Sequence, residues 1–93
     1  AIKINPNYSD AYYNWGNARS TLGDKKGAIE DYSQAIKINP NYSDAYYNWG
    51  NARSTLGDKK GAIEDFQKAA DLYKKQGKTA DYTDAINRVK KLQ

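Results

Sequence analysis

The chain repeats itself. Residues 1–31 recur without a single change as residues 35–65, a period of 34, and the copies first diverge at Tyr32/Phe66, Ser33/Gln67 and Gln34/Lys68. A fixed period of this length is the signature of stacked supersecondary units, each burying its apolar face against the next rather than closing a core of its own. The arithmetic leaves two full units and a remainder of 25 residues. Packing tolerates substitution at most exposed positions, so complete identity between copies implies either a very recent duplication or deliberate engineering.

Within one unit the apolar spacing describes two amphipathic helices. Ala11, Tyr12, Trp15, Ala18 and Leu22 follow the i, i+3, i+4, i+7 pattern, and so do Ala28, Ile29, Tyr32, Ala35 and Ile36. Ser9 stands where an N-cap is expected, with Tyr8 before it placed to staple onto Tyr13. Gly23 suits a left-handed C′ position and Asp24 the next N-cap. Asn39-Pro40 stops the second helix, because proline disfavours helical geometry at the residue before it. Lys25, Lys26 and Gly27 fit poorly at a helix start, where the dipole prefers acids and glycine costs roughly 0.5–1 kcal/mol.

Composition narrows the chemistry. With no Cys and no His in 93 residues, disulfides, thiolate zinc sites, thiol nucleophiles and the commonest neutral-pH general base are all missing. No metal constellation, cofactor loop or catalytic grouping is legible. The adjacent acids Glu30-Asp31 and Glu64-Asp65 read as solvated helix charges, since neighbours at i, i+1 diverge. No apolar run reaches the roughly 18 residues of a membrane span and no start resembles a signal peptide, so no membrane partner is expected and a natural chain of this kind would be cytoplasmic. Asn7-Tyr8-Ser9 and Asn41-Tyr42-Ser43 match the glycosylation sequon as chance occurrences. Of the net charge of +4, residues 69–93 supply +3, with 6 basic and 3 acidic side chains. That is a basic tail on a nearly neutral body, not the continuous patch nucleic acid requires.

Counting Ser9 as the first position of the unit, Tyr12, Gly16, Ala28, Tyr32, Ala35 and Pro40 fall at the places of the tetratricopeptide repeat pattern, and Tyr46, Gly50, Ala62, Phe66 and Ala69 fall there in the second unit. The chain resembles that family over residues 9–76. The resemblance implies an all-α, right-handed superhelical stack of antiparallel helix pairs: residues 1–8 the tail of a preceding repeat, 9–42 and 43–76 two repeats, and 77–93 a C-terminal capping helix. Small residues at Gly16, Ala28 and Ala35 let the helices approach while the ring of Tyr32 fills the space between them. The chain departs from the family at Trp15 and Trp49 (usually Leu), at Arg19 and Arg53 (usually Tyr), and at Lys74, where a proline is usual. Without that proline the fourth helix runs on through Leu72 and Tyr73 to Gly77. A fifth helix follows Thr79, with Tyr82, Ala85, Ile86, Val89 and Leu92 on its apolar stripe and charge opposite, as a cap requires.

By the same resemblance the function is that of a non-catalytic scaffold holding an extended peptide or protein segment on a concave surface. The corresponding lining residues are Asp10, Tyr13, Asn14, Asn17, Asp44, Tyr47, Asn48 and Asn51. Members that clamp a terminal carboxylate carry Lys where this chain has Asp10 and Tyr13, so that mode is not expected. Single-stranded RNA binding is the alternative, raised by pI ≈ 9.2 and abundant Tyr. The first helix has no neighbour on the side of Ala11 and Trp15, and self-association through this repeat is therefore expected, by face-to-face pairing or by exchange of helices between the identical units.

Overall fold

The computed structural model describes residues 6–93. They form five helices, α1 (Pro6–Thr21), α2 (Lys25–Ile38), α3 (Ser43–Thr55), α4 (Lys59–Lys75) and α5 (Thr79–Leu92), with no strand among the described residues. Each helix packs against its successor, giving an all-α right-handed stack of antiparallel pairs closed by α5. Residues 1–5 of the proposed leading tail lie outside the described residues.

The turns follow local chemistry. Gly23, Gly57 and Gly77 carry φ of 90°, 89° and 74°, the left-handed conformation that only glycine adopts without cost. At the first turn the amides of Gly23 and Asp24 donate back to the carbonyls of Ser20 and Arg19 (3.1 and 2.8 Å), and Asp24 Oδ1 accepts from the Gly27 amide at 3.0 Å. Asp58 caps α4 through Gly61 in the same way at 2.9 Å. These bonds explain the helix start that fits poorly in sequence. A Cβ on Gly27 would collide with the Asp24 carboxylate and lie 2.8 Å from the Arg19 guanidinium. Lys25 Nζ reaches back to donate to the carbonyl and hydroxyl of Ser20 at 3.1 and 2.7 Å, near the negative end of α1.

Two expectations at the helix starts are corrected. Ser9 is not an N-cap: the described part of α1 already runs from Pro6, and Ser9 is buried within the helix. Hence Pro6–Tyr8 are helical, unlike the turn at Pro40. In the second copy Tyr42 takes the cap position without a side-chain bond, and the Ser43 hydroxyl donates instead to Gln76 Oε1 at 2.9 Å. The Tyr8–Tyr13 staple fails for the same reason, because within one helix residues five apart point about 140° away from each other. Tyr8 is exposed, and Tyr13 packs on Tyr32 and Tyr42 with ring centroids 6.0 and 4.9 Å apart.

The core is made of alanines with two large plugs. Ala28, Ala35, Ala62 and Ala69 are fully buried, and Tyr32 and Phe66 are large rings buried between them. Their rings lie flush on glycine: a Cβ at Gly16 would sit 2.7 Å from the Tyr32 ring and one at Gly50 3.0 Å from Phe66. The fourth helix extends as expected, with Leu72 and Tyr73 buried, and α5 closes it by setting Ala85 against Ala69, Ala70 and Tyr73 and Val89 against Phe66.

The adjacent acids are not both solvated. Glu30 and Glu64 are exposed, but Asp31 and Asp65 turn inward and are buried, each beside one of the arginines that replace the family's tyrosine. Arg19 Nε lies 3.2 Å from Asp31 Oδ2 and Arg53 Nε 3.5 Å from Asp65 Oδ2. The Arg53 guanidinium also lies 4.2 Å from the Trp49 ring centroid, so the two departures from the family pattern work together as a cation–π and ion-pair stack.

Candidate functional site

The residues expected to line the inner surface come from α1 and α3, and the structure divides them by role. Asn48 bridges the repeats: its Nδ2 donates to the Tyr13 hydroxyl at 3.0 Å and to Asn17 Oδ1 at 2.9 Å. Asn17 Oδ1 also accepts from the Tyr32 hydroxyl at 2.5 Å. Tyr13, Asn17, Asn48 and Tyr32 thus form one partly buried network joining α1, α2 and α3. Burial raises the Tyr32 hydroxyl to about 12 and lifts that of Tyr13 as well, so both remain neutral throughout the physiological range, Tyr32 as a donor and Tyr13 as an acceptor.

The two aspartates are occupied too. Asp10 Oδ1 accepts from the Tyr42 hydroxyl at 2.8 Å, and Asp44 Oδ1 from the Tyr73 hydroxyl at 2.6 Å. Burial first, and the accepting carboxylate second, push both phenols upward. The second aspartate pairs with Tyr73 on α4 and not with a residue of the following turn, because the counterpart of Tyr42 is Gln76, whose amide bonds Ser43 and the Asn41 carbonyl.

Asn14, Tyr47 and Asn51 remain, and Tyr47 is half-buried with its ring against Phe66 and Tyr73. Asn14 is exposed and Asn51 half-buried, and neither side chain makes a hydrogen bond among the described residues. For Asn51 the cause is in the sequence: its counterpart Asn17 is held by the Tyr32 hydroxyl, and the equivalent ring is Phe66. That ring lies among Val89 of α5, Ala62 and Tyr47, an apolar setting in which a hydroxyl would be costly unless paired.

The charged side of α5, expected only as the outer face of a cap, reaches these residues. Arg88 lies 5.7 Å from the centroid of the Tyr47 ring. With Asp84, Asn87 and Lys91 it lines an open depression of about 490 Å³ on α5. These four occupy i, i+3, i+4, i+7 positions, a polar stripe whose spacing was legible but whose direction depended on how α5 docks. No group of three or more metal-ligating side chains occurs among the described residues, and no helix is long and apolar enough to cross a membrane.

Helix pairs stacked in register, with side chains tying one pair to the next, define a helical-repeat solenoid. Family models for the TPR repeat and the tetratricopeptide repeat match residues 16–57 and 43–76, and the chain belongs to the tetratricopeptide repeat family, whose members typically mediate protein–protein interaction. A tetratricopeptide repeat domain protein from Salinibacter ruber superposes with a TM-score of 0.85 at 16% identity, over 96% of this chain and 90% of that one. PcrH from Pseudomonas aeruginosa, solved with the chaperone binding region of PopD, gives 0.88 at 23% identity over 92% and 66%. The N-terminal domain of stress-induced protein-1 from C. elegans gives 0.86 at 18% over 99% and 72%. At these identities the likeness concerns the fold. No curated protein matches the sequence.

Proposed function

We propose that the chain is a non-catalytic scaffold that holds an extended peptide or protein segment along the inner surface formed by α1, α3 and α5. One observation carries the reading: the amides of Asn14 and Asn51 are unpaired beside Asp10, Tyr13, Asn17, Asp44 and Asn48, each of which is already hydrogen-bonded within the fold. An asparagine amide offers both a donor and an acceptor to a peptide backbone, and a site whose supporting bonds are already made loses little order on binding. The PcrH structure, in which a related fold is complexed with a segment of another protein, is consistent with this use.

Asp10, Tyr13, Asn17, Asp44 and Asn48 then act as the frame, Tyr47 as an apolar floor, and Asn14 and Asn51 as the contacts. Panning a peptide array on the intact chain tests the division. Asn14→Ala and Asn51→Ala should each weaken the selected peptides about tenfold, as loss of about 1.4 kcal/mol implies, with unchanged melting, whereas Asn48→Ala should lower the melting temperature. Selected peptides that bind both variants as tightly as the parent would refute the reading.

Single-stranded RNA binding along the same surface is less well supported, because it needs exposed rings there for base stacking, and the exposed rings Tyr8 and Trp15 are not among its residues. The Tyr13, Tyr32, Tyr47 and Tyr73 rings pack on one another or on Phe66 and Tyr42. The identity of the two units supports a designed stack as well as a recent duplication, and a natural gene with nearly identical neighbouring codons would exclude design.

A further inference from the structure

Counted along the chain, the positive excess belongs to residues 69–93; in the fold it belongs to one edge. Successive helices run in opposite directions, so the α1–α2 turn, the α3–α4 turn and the C-terminal end of α5 come together on the same side of the stack. Val89 and Leu92 share a cluster with Ala62, Ile63 and Phe66, which sets Lys90 and Lys91 level with the start of α4. The edge therefore carries Lys25, Lys26, Lys59, Lys60, Lys90 and Lys91 against Asp24 and Asp58, an excess of +4 that equals the net charge of the whole chain. Both aspartates are turned back as caps onto the Gly27 and Gly61 amides. None of the six lysines makes an ion pair among the described residues, and the next acids, Glu30 and Glu64, lie about 6 Å beyond Lys26 and Lys60 along their helices. At the opposite edge Lys74, Lys75 and Lys78 are offset by Asp44, Asp71 and Asp81.

The basic edge also carries Leu22 and Leu56, the two large aliphatic side chains exposed among the described residues. Leu56 ends a helix that has neighbours on both sides and is still 48% exposed. Its exposure comes from its place at the turn, not from a missing neighbour. Helix stability explains neither feature. The dipole opposes cations at a helix start, and of the four lysines that open α2 and α4 only Lys25 makes a hydrogen bond, to Ser20.

We infer that this edge docks on the surface of an anionic lipid bilayer, the leucine tips entering the headgroup layer and the three lysine pairs facing the anionic headgroups. Aliphatic tips set among cations gain free energy at the acyl boundary, and a cluster of this size is what an anionic leaflet attracts. Nucleic acid offers leucine no apolar layer and is gripped by stacked rings, and the turn segments 20–27 and 54–61 contain no aromatic residue. No described helix is long and apolar enough to cross a membrane, and a surface contact needs none; the expectation of no membrane partner rested on the lack of a span. The edge is built from helix ends, not from the helix sides that form the inner surface, so it stands apart from the peptide reading.

Flotation of the intact chain with vesicles tests this. Vesicles of phosphatidylcholine and phosphatidylserine in equal parts should carry the chain at low salt and release it as salt is raised, and phosphatidylcholine alone should not. Lys26→Gln and Lys60→Gln should each weaken partitioning about fivefold, with melting unchanged or raised because each relieves a helix start, whereas Lys75→Gln should leave it unchanged. The chain has no cysteine, so an environment-sensitive dye on Leu56→Cys reports this edge and one on Lys75→Cys the other; only the first should shift to the blue on anionic vesicles. Leu22→Cys takes its place if Leu56→Cys loses helicity. Absence of binding to anionic vesicles at low salt overturns the proposal, as does an equal loss from Lys75→Gln or binding without a dye shift at the leucine. Single-stranded DNA that displaces the chain from vesicles and binds a Leu22→Ser, Leu56→Ser protein as tightly as the parent overturns it in favour of nucleic acid.

Discussion

The bond between the Tyr32 hydroxyl and Asn17 can be isolated with a double-mutant cycle. Tyr32→Phe removes a 2.5 Å hydrogen bond from a ring that is 2% exposed. It orphans nothing, since Asn17 Oδ1 keeps the Asn48 amide at 2.9 Å. The expected cost is therefore that of one net hydrogen bond, about 1 kcal/mol. Asn17→Ala costs more, about 1–3 kcal/mol, because it strips the acceptor from two donors and leaves the Tyr32 hydroxyl buried without a partner. In the Tyr32→Phe background that hydroxyl no longer exists, so Asn17→Ala should be cheaper by about 1 kcal/mol, and this difference is the coupling energy. For a chain of this length each kcal/mol moves the melting temperature by about 4–8 °C, which circular dichroism or urea titration resolves easily. Coupling within about 0.3 kcal/mol of zero, the additivity expected of independent sites, would refute the network.

Two further outcomes are expected. Burial raises the Asp65 carboxyl from 3.8 to about 7, against the pull of Arg53 and helped by Glu64 and Asp58. The folded chain then holds a proton that the unfolded chain releases earlier, so stability should fall as pH rises from 3.8 through about 7, by on the order of 4 kcal/mol from this group, and Asp65→Asn should flatten that stretch of the urea-midpoint profile; an unchanged profile would show that the carboxyl is ionised throughout. Deleting residues 78–93 uncovers Phe66 and Tyr73, each ring worth roughly 1.5–3 kcal/mol when buried, and should abolish cooperative melting; a truncated chain that keeps the parent's helicity and midpoint would contradict the role of α5.

What could be read from the sequence was what depends on neighbours along the chain. Gly23 with Asp24, the stop at Asn39-Pro40 and the extension of α4 past Lys74 all follow from local backbone chemistry, and all stand in the structure. The inner surface was harder, because its residues are placed by the helix pattern but their partners lie one repeat away. Asn48 and Asn14 have the same sequence context. One ties the repeats together and the other is free, since only Asn48 has α1 beside it. Asp31 and Asp65 looked solvated because their partners, Arg19 and Arg53, sit 12 residues earlier on another helix. Lys25 and Gly27 made no sense as a helix start until Ser20 and the Asp24 carboxylate were seen to occupy the space around them.

The clasp at each helix turn has a kinetic meaning. Asp24 with Gly27, and Asp58 with Gly61, close hairpins using only residues near in sequence, so the loop entropy to be overcome is small. The two hairpins are made of the same residues from the first helix through Asp31 and Asp65 and begin with nearly equal intrinsic tendency to form. Order must then come from their neighbours. Among the described residues the second hairpin packs against helices on both sides, α2 and α5, and the first against α3 alone, so in a nearest-neighbour stack the second is expected to open after the first. A duplicated sequence, in which neither half is privileged by its own chemistry, acquires an order from what each half packs against.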